Sequence, residues 1–221
     1  MSSIKENLKQ ILETIPNHVT LVAVSKTKPV SDLLEAYHAG QRVFGENKIQ
    51  EMTQKWEELP KDISWHMIGH VQTNKVKYMA PYVDTIHAVD SLKLLKEINK
   101  QAIKNDRTIN CLLQIKIAEE ESKFGLSDTD AIALLNAEDI KPLSNVKIIG
   151  LMGMATFTDN QEQIKKEFKH IQSLFEKLQP DHPQLTSLSI GMSGDYQLAI
   201  DCGSTMVRIG SSIFGARNYS H

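Results

Sequence analysis

Two short stretches carry most of the chemical content of this sequence. One is a lysine that closes a run of small residues, Val22-Ala23-Val24-Ser25-Lys26; the other is an arginine that leads into a glycine–serine segment, Arg208-Ile209-Gly210-Ser211-Ser212. A strand-end amine can condense with an aldehyde. Gly210 lets backbone come close to a ligand, and Ser211 and Ser212 offer hydroxyls and N–H groups at a helix start, the local chemistry of an anion site. Gly191-Met192-Ser193-Gly194 supplies a second polar loop. It is no GxSxG nucleophile elbow, because residue 195 is Asp. Together these features suggest a phosphorylated aldehyde held as a Schiff base, with pyridoxal phosphate the leading candidate. Each alone has a plainer reading, a solvated lysine in one case and a serine helix cap in the other.

Strand alternation puts Met206, Arg208 and Gly210 on one face and Val207 and Ile209 on the other. The apolar pair should pack against helices, so Arg208 is expected to point inward, where a guanidinium needs an acceptor. A pyridine nitrogen could serve, and the arginine would keep that nitrogen unprotonated, making the ring a poor electron sink. The competing reading is a structural ion pair with a core carboxylate. Lys28, two residues beyond Lys26, is a second cation that could depress the Lys26 pKa. Pro29 suits the first turn of a following helix.

Further polar residues fall where strands should end: Glu46 and Asn47, His66, and Gln72, Asn74 and Lys75. His66 and His70 are four apart but lie in no HExxH helix, which speaks against a metal site. Gly69 to Lys75 lacks the second glycine and the Ser or Thr of a P-loop. Glu119-Glu120-Glu121 reads as a solvated loop.

These residues need a scaffold that brings several strand ends to one face. Apolar runs near 19–25, 42–45, 63–68, 84–89, 109–117, 146–150, 185–190 and 205–209 alternate with helical stretches. A helix is expected near 160–179, where Ile164, Phe168, Ile171, Leu174, Phe175 and Leu178 make one stripe. An extra N-terminal helix carries Ile4, Leu8, Ile11, Leu12 and Ile15, is capped by Ser2 or Ser3, and ends at Pro16-Asn17. Alternation implies a mostly parallel sheet, open or closed. Eight strands with polar groups after several of them favour an α/β fold in the form of a (β/α)8 TIM barrel over an open sheet with one switch point.

The chain has 221 residues, 41% apolar and 24% charged, with a net charge of −2. That size suits one domain over 1–221, and the charge favours neither nucleic acid nor an anionic membrane. The two cysteines form no CxxC, no apolar span reaches membrane length, and the N-terminus has no secretory h-region. The expectation is a cytoplasmic monomer.

Ala23-Val24-Ser25-Lys26-Thr27, Gly45-Glu46-Asn47, Trp65-His66 with Ile68-Gly69 and Asn74-Lys75, and Ser122-Lys123-Phe124-Gly125-Leu126 follow a known order. So do Gly150-Leu151-Met152, Gly191 to Asp195, and Gly203 to Gly210 with Ile213-Phe214-Gly215. The chain resembles, over nearly its whole length, the pyridoxal phosphate homeostasis proteins, short relatives of the alanine racemase N-terminal barrel. The resemblance implies a fold-type III barrel in which Lys26 is the Schiff-base residue and Arg208 faces the ring nitrogen. It further implies phosphate contacts from Ser193, Gly210, Ser211 and Ser212, with Asn47, His66 and Met192 lining the cofactor. Lys48, His70 and the Ser211-Ser212 pair depart from the usual pattern.

The expected function is to hold pyridoxal phosphate and buffer it or deliver it to apo enzymes, without strong catalysis. Two-base racemisation needs a second acid/base on the opposite face. In related racemases a tyrosine from a C-terminal β-domain supplies it, and this sequence ends at His221 just after the eighth strand. The alternatives are a small pyridoxal phosphate-dependent racemase or lyase, and a Schiff-base aldolase of a sugar phosphate.

Overall fold

The computed structural model describes residues 3–120 and 124–216. Every expected strand forms, and the strands close in sequence order into an all-parallel barrel. They are β1 (Thr20–Val24), β2 (Val43–Glu46), β3 (Ser64–Met67), β4 (Val83–Val89), β5 (Ile109–Ile115), β6 (Val146–Gly153), β7 (Ser187–Met192) and β8 (Met206–Ile209). The barrel closes where β8 pairs with β1, with Val22 opposite Arg208. Around it lie α2 (Val30–His38), α3 (Ile49–Glu58), α4 (Val76–Met79), α5 (Leu92–Lys104), α6 (Asp128–Leu135), α7 (Gln161–Leu178), α8 (Tyr196–Asp201) and α9 (Ser211–Phe214). The N-terminal helix α1 (Ile4–Thr14) is capped by Ser3 in a reciprocal capping box with Glu6.

Two apolar layers separate cleanly. Leu21, Ala23, Val207 and Ile209 pack outward in the large core that includes Phe168, Ile171 and Phe175 of α7. Val22, Ala88, Leu112, Met152 and Met206 form a second buried cluster drawn from strands alone. The second cluster is the barrel interior, which in this fold is packed with side chains rather than hollow. Arg208 shares the inward face with Val22 and Met206, as the alternation requires.

Strand β6 runs three residues beyond the expected end at Gly150. Gly150 allows close approach to β7: a Cβ there would lie 1.7 Å from the Ser187 carbonyl oxygen. Pro29 is the N-cap of α2 rather than its first helical residue. Among the described residues, no helix is long and apolar enough to cross a membrane.

Candidate functional site

Lys26 is half-buried in the turn that follows β1. The loops after β7 and β8 meet next to it. The Gly210 amide donates to Ser193 Oγ at 3.1 Å, so one hydrogen bond joins the two glycine–serine loops. Gly210 also lies against β1: a Cβ there would meet the Val24 carbonyl oxygen at 3.0 Å. Glycine keeps that approach close, two residues before Lys26. Ser211 and Ser212 are exposed in the first turn of α9, where amides have no intrahelical acceptor. A set of hydroxyls and amide N–H groups suits a phosphate.

Helix α9 is only one turn long, and other elements hold it. Asn7 of α1 donates from Nδ2 to the Ile213 carbonyl at 3.0 Å. Lys28 Nζ donates to the carbonyls of Phe214 and Ala216 at 2.7 and 3.0 Å. Its ammonium is directed to the C-terminal end of α9, where a cation is favoured.

Arg208 is 4% exposed. Its Nη1 donates to the carbonyl and hydroxyl of Ser189 at 2.8 and 2.6 Å, and Nη2 donates to the Gly153 carbonyl at 2.9 Å. All three acceptors are uncharged, so the structural ion pair weighed from sequence is not what anchors it. Burial lowers its pKa to about 10.

The Ser189 hydroxyl lies 3.1 Å from His87 Nδ1, and His87 Nε2 lies 2.9 Å from His66 Nδ1. His66, expected to line the cofactor, is 4% exposed inside the barrel, with Nε2 3.8 Å from Asp84 near the start of β4. The assignment that also gives the Ser189 hydroxyl proton an acceptor runs one way: Arg208 to Ser189, Ser189 to His87, His87 to His66. Burial holds His66 down to about 4 and pushes His87 well below its usual range, so both rings are neutral. Ser189 and His87 escaped the sequence reading. Their signal in sequence is a polar side chain on the inward face of a buried strand.

Asn47, after β2, lines a cleft of about 620 Å3 shared with Lys48, Met67, His70, Lys75 and Tyr78. Of the expected site residues Asn47 alone lines this cleft; Lys26, Ser193, Gly210, Ser211 and Ser212 do not. Lys48 and His70 face it, and the His70 ring stacks on Phe124 at 4.5 Å. Met192 is the register partner of Arg208 and sits 36% exposed at the end of β7, its amide donating to Asp195 Oδ1 at 2.6 Å. Glu120 is not simply solvated: it accepts from the Phe157 amide at 3.0 Å. Glu121, Ser122 and Lys123 lie outside the described residues.

A third polar cluster surrounds the Lys26 turn from the side of α3. Lys55 Nζ donates to Glu46 Oε1 and Glu51 Oε1, both at 2.7 Å, and to the Ser25 carbonyl at 2.8 Å. Ser25 Oγ donates to Glu46 Oε1 at 2.6 Å. Burial raises the Glu46 pKa while Lys55 opposes the rise.

Known proteins match the chain along nearly its whole length. The family model for the alanine racemase N-terminal domain matches residues 1–218. The chain is 39% identical to the pyridoxal phosphate homeostasis protein of Vibrio alginolyticus over 235 residues, covering 100% of both. It is 43% identical to that of Haemophilus influenzae, covering 92% of this chain and 87% of the relative. Among solved structures, PipY of Synechococcus elongatus with PLP bound superposes with a TM-score of 0.88 at 36% identity, covering 96% of this chain and 100% of that one.

Proposed function

The chain belongs to the pyridoxal phosphate homeostasis proteins of the alanine racemase N-terminal-domain family, and on that premise we propose that it binds pyridoxal phosphate at the C-terminal mouth of its barrel and serves as a carrier rather than an enzyme. When bound, pyridoxal phosphate supplies an aldehyde that condenses with a lysine and a phosphate that seeks hydrogen-bond donors. Lys26 is the attachment point. Ser193, Ser211 and Ser212, with the Gly210 backbone, hold the phosphate; Asn47 and Met192 border the ring, and His66 acts from below through His87. The binding unit spans residues 1–221, works as a monomer in the cytoplasm, and hands its ligand to apo enzymes.

The observation that carries the non-catalytic reading is the anchoring of Arg208. Its guanidinium is held by two carbonyls and a hydroxyl, so it keeps a full positive charge. A cation facing the ring nitrogen disfavours protonation there, and an unprotonated ring withdraws electrons weakly.

The test uses the purified protein. It should be yellow, and borohydride should fix a phosphopyridoxyl group on the Lys26 peptide. An aldolase would be colourless and trapped only with a sugar phosphate. Turnover of any amino acid at about 1 s⁻¹ or faster would overturn the carrier reading.

A further inference from the structure

We propose that Lys55, acting through Glu46 and Glu51, is a positioning residue for the Lys26 amine. The inference rests on Lys26 being the attachment point. Lys26 lies between two residues that this cluster grips. On one side Ser25 gives its hydroxyl to Glu46 and its carbonyl to Lys55. On the other side the Thr27 amide donates to Glu51 Oε1 at 2.6 Å. The same Glu51 oxygen and the same Glu46 oxygen both accept from Lys55. One ammonium on α3 therefore holds the backbone before and after Lys26.

The turn needs holding. Thr27 has φ of +64°, a left-handed conformation that a β-branched residue seldom adopts and that persists only where its surroundings over-determine it. Backbone strain of this kind next to an attachment lysine reads as pre-organisation. Burial points the same way. The Lys55 and Glu46 side chains are 6% and 0% exposed, and Glu46 Oε2 is buried with no hydrogen-bond partner among the described residues. A buried ion pair with an unsatisfied oxygen is weak as a stabilising device, and apolar residues of similar size would often serve stability as well. Its geometry is spent on fixing one turn. Lys28 secures the far end of that turn to α9, so the amine and the phosphate loops keep a set separation.

The test compares Glu51→Gln, in which the Glu46–Lys55 pair stays intact, with the double variant Glu46→Gln/Lys55→Met, which removes both buried charges together. Each is measured for melting in the absence of ligand, for affinity toward pyridoxal phosphate and toward pyridoxine phosphate, and for the fraction of Lys26 trapped by borohydride. Pyridoxine phosphate has no aldehyde and reports the ring and phosphate contacts without the covalent one. Positioning predicts that Glu51→Gln melts as the parent does, binds pyridoxine phosphate within about twofold, and loses about tenfold in affinity for pyridoxal phosphate with a matching loss of trapping. The folded double variant should show the same selective loss. Should the double variant fail to fold, Glu51→Gln decides alone. Equal losses for both ligands, or none for either, overturn the inference. Failure to trap the parent at Lys26 instead overturns the function proposed above, so the two failures are distinguishable.

Discussion

Ser189 meets the Arg208 guanidinium twice, with its carbonyl at 2.8 Å and its hydroxyl at 2.6 Å from the same Nη1. The hydroxyl links Arg208 to His87, so a single serine on β7 both anchors the cation and passes its polarisation along the chain to His66. Replacing it by alanine leaves the carbonyl contact and removes the link. Ser189→Ala should lose about 1–3 kcal/mol in urea denaturation, the usual cost of orphaning buried polar groups. Unchanged stability would mean that the guanidinium and His87 find other partners in the barrel.

Lys26 and Lys28 are two residues apart and should behave differently on truncation. Lys26→Ala should abolish borohydride trapping while leaving the melting temperature nearly unchanged, because a half-buried lysine at the mouth leaves no core cavity. Lys28→Ala should retain trapping at Lys26 and weaken phosphate binding, since it removes the ammonium that holds the end of α9. Peptide mapping after reduction separates the two. Trapping that persists in Lys26→Ala and vanishes in Lys28→Ala would reassign the attachment point.

Ser211 and Ser212 should act on the phosphate alone. Hydrogen bonds to a charged group contribute about 1.5–3 kcal/mol each, or roughly tenfold and more in affinity. The double alanine variant should lose pyridoxal phosphate on dialysis and bind unphosphorylated pyridoxal as the parent does. Equal weakening for both ligands would show that the serines serve to start α9 instead.

Stability should fall in mild acid because of the buried histidines. Burial holds His66 at about 4 in the folded protein against an ordinary 6.5. The unfolded chain therefore takes up a proton that the folded chain refuses. This contribution is complete above about pH 6.5 and is lost as pH falls toward 4. By about pH 5 the loss from His66 alone is on the order of 2 kcal/mol, and His87, lowered in the same direction, adds to it. Urea denaturation at about pH 7.5 and 5 measures the drop, which His66→Gln should reduce. A parent protein equally stable at both values would show that the two rings are charged inside the barrel or are reached by water.

Much of this molecule is legible along the chain. Alternation of short apolar runs with amphipathic helices, eight times over, is a local property of the residues, and it leads to the closed parallel barrel. Alternation within β8 sends Arg208 inward because Val207 and Ile209 bury against helices. The glycine and serine residues after β7 and β8 announce close backbone approach and spare donors, and the bond from Gly210 to Ser193 joins them. What depended on tertiary structure is the identity of partners. Lys55 lies 29 residues from Lys26, and no spacing rule places it against Ser25. His87 and Ser189 sit 102 apart and meet only because strands on opposite sides of the barrel share one interior. His66 reads as a strand-end residue, and barrel closure brings it against His87. Periodicity and turn chemistry act over a few residues and so can be read in order. Hydrogen bonds inside a barrel join residues brought together by closure, and only the folded chain decides which donor faces which acceptor.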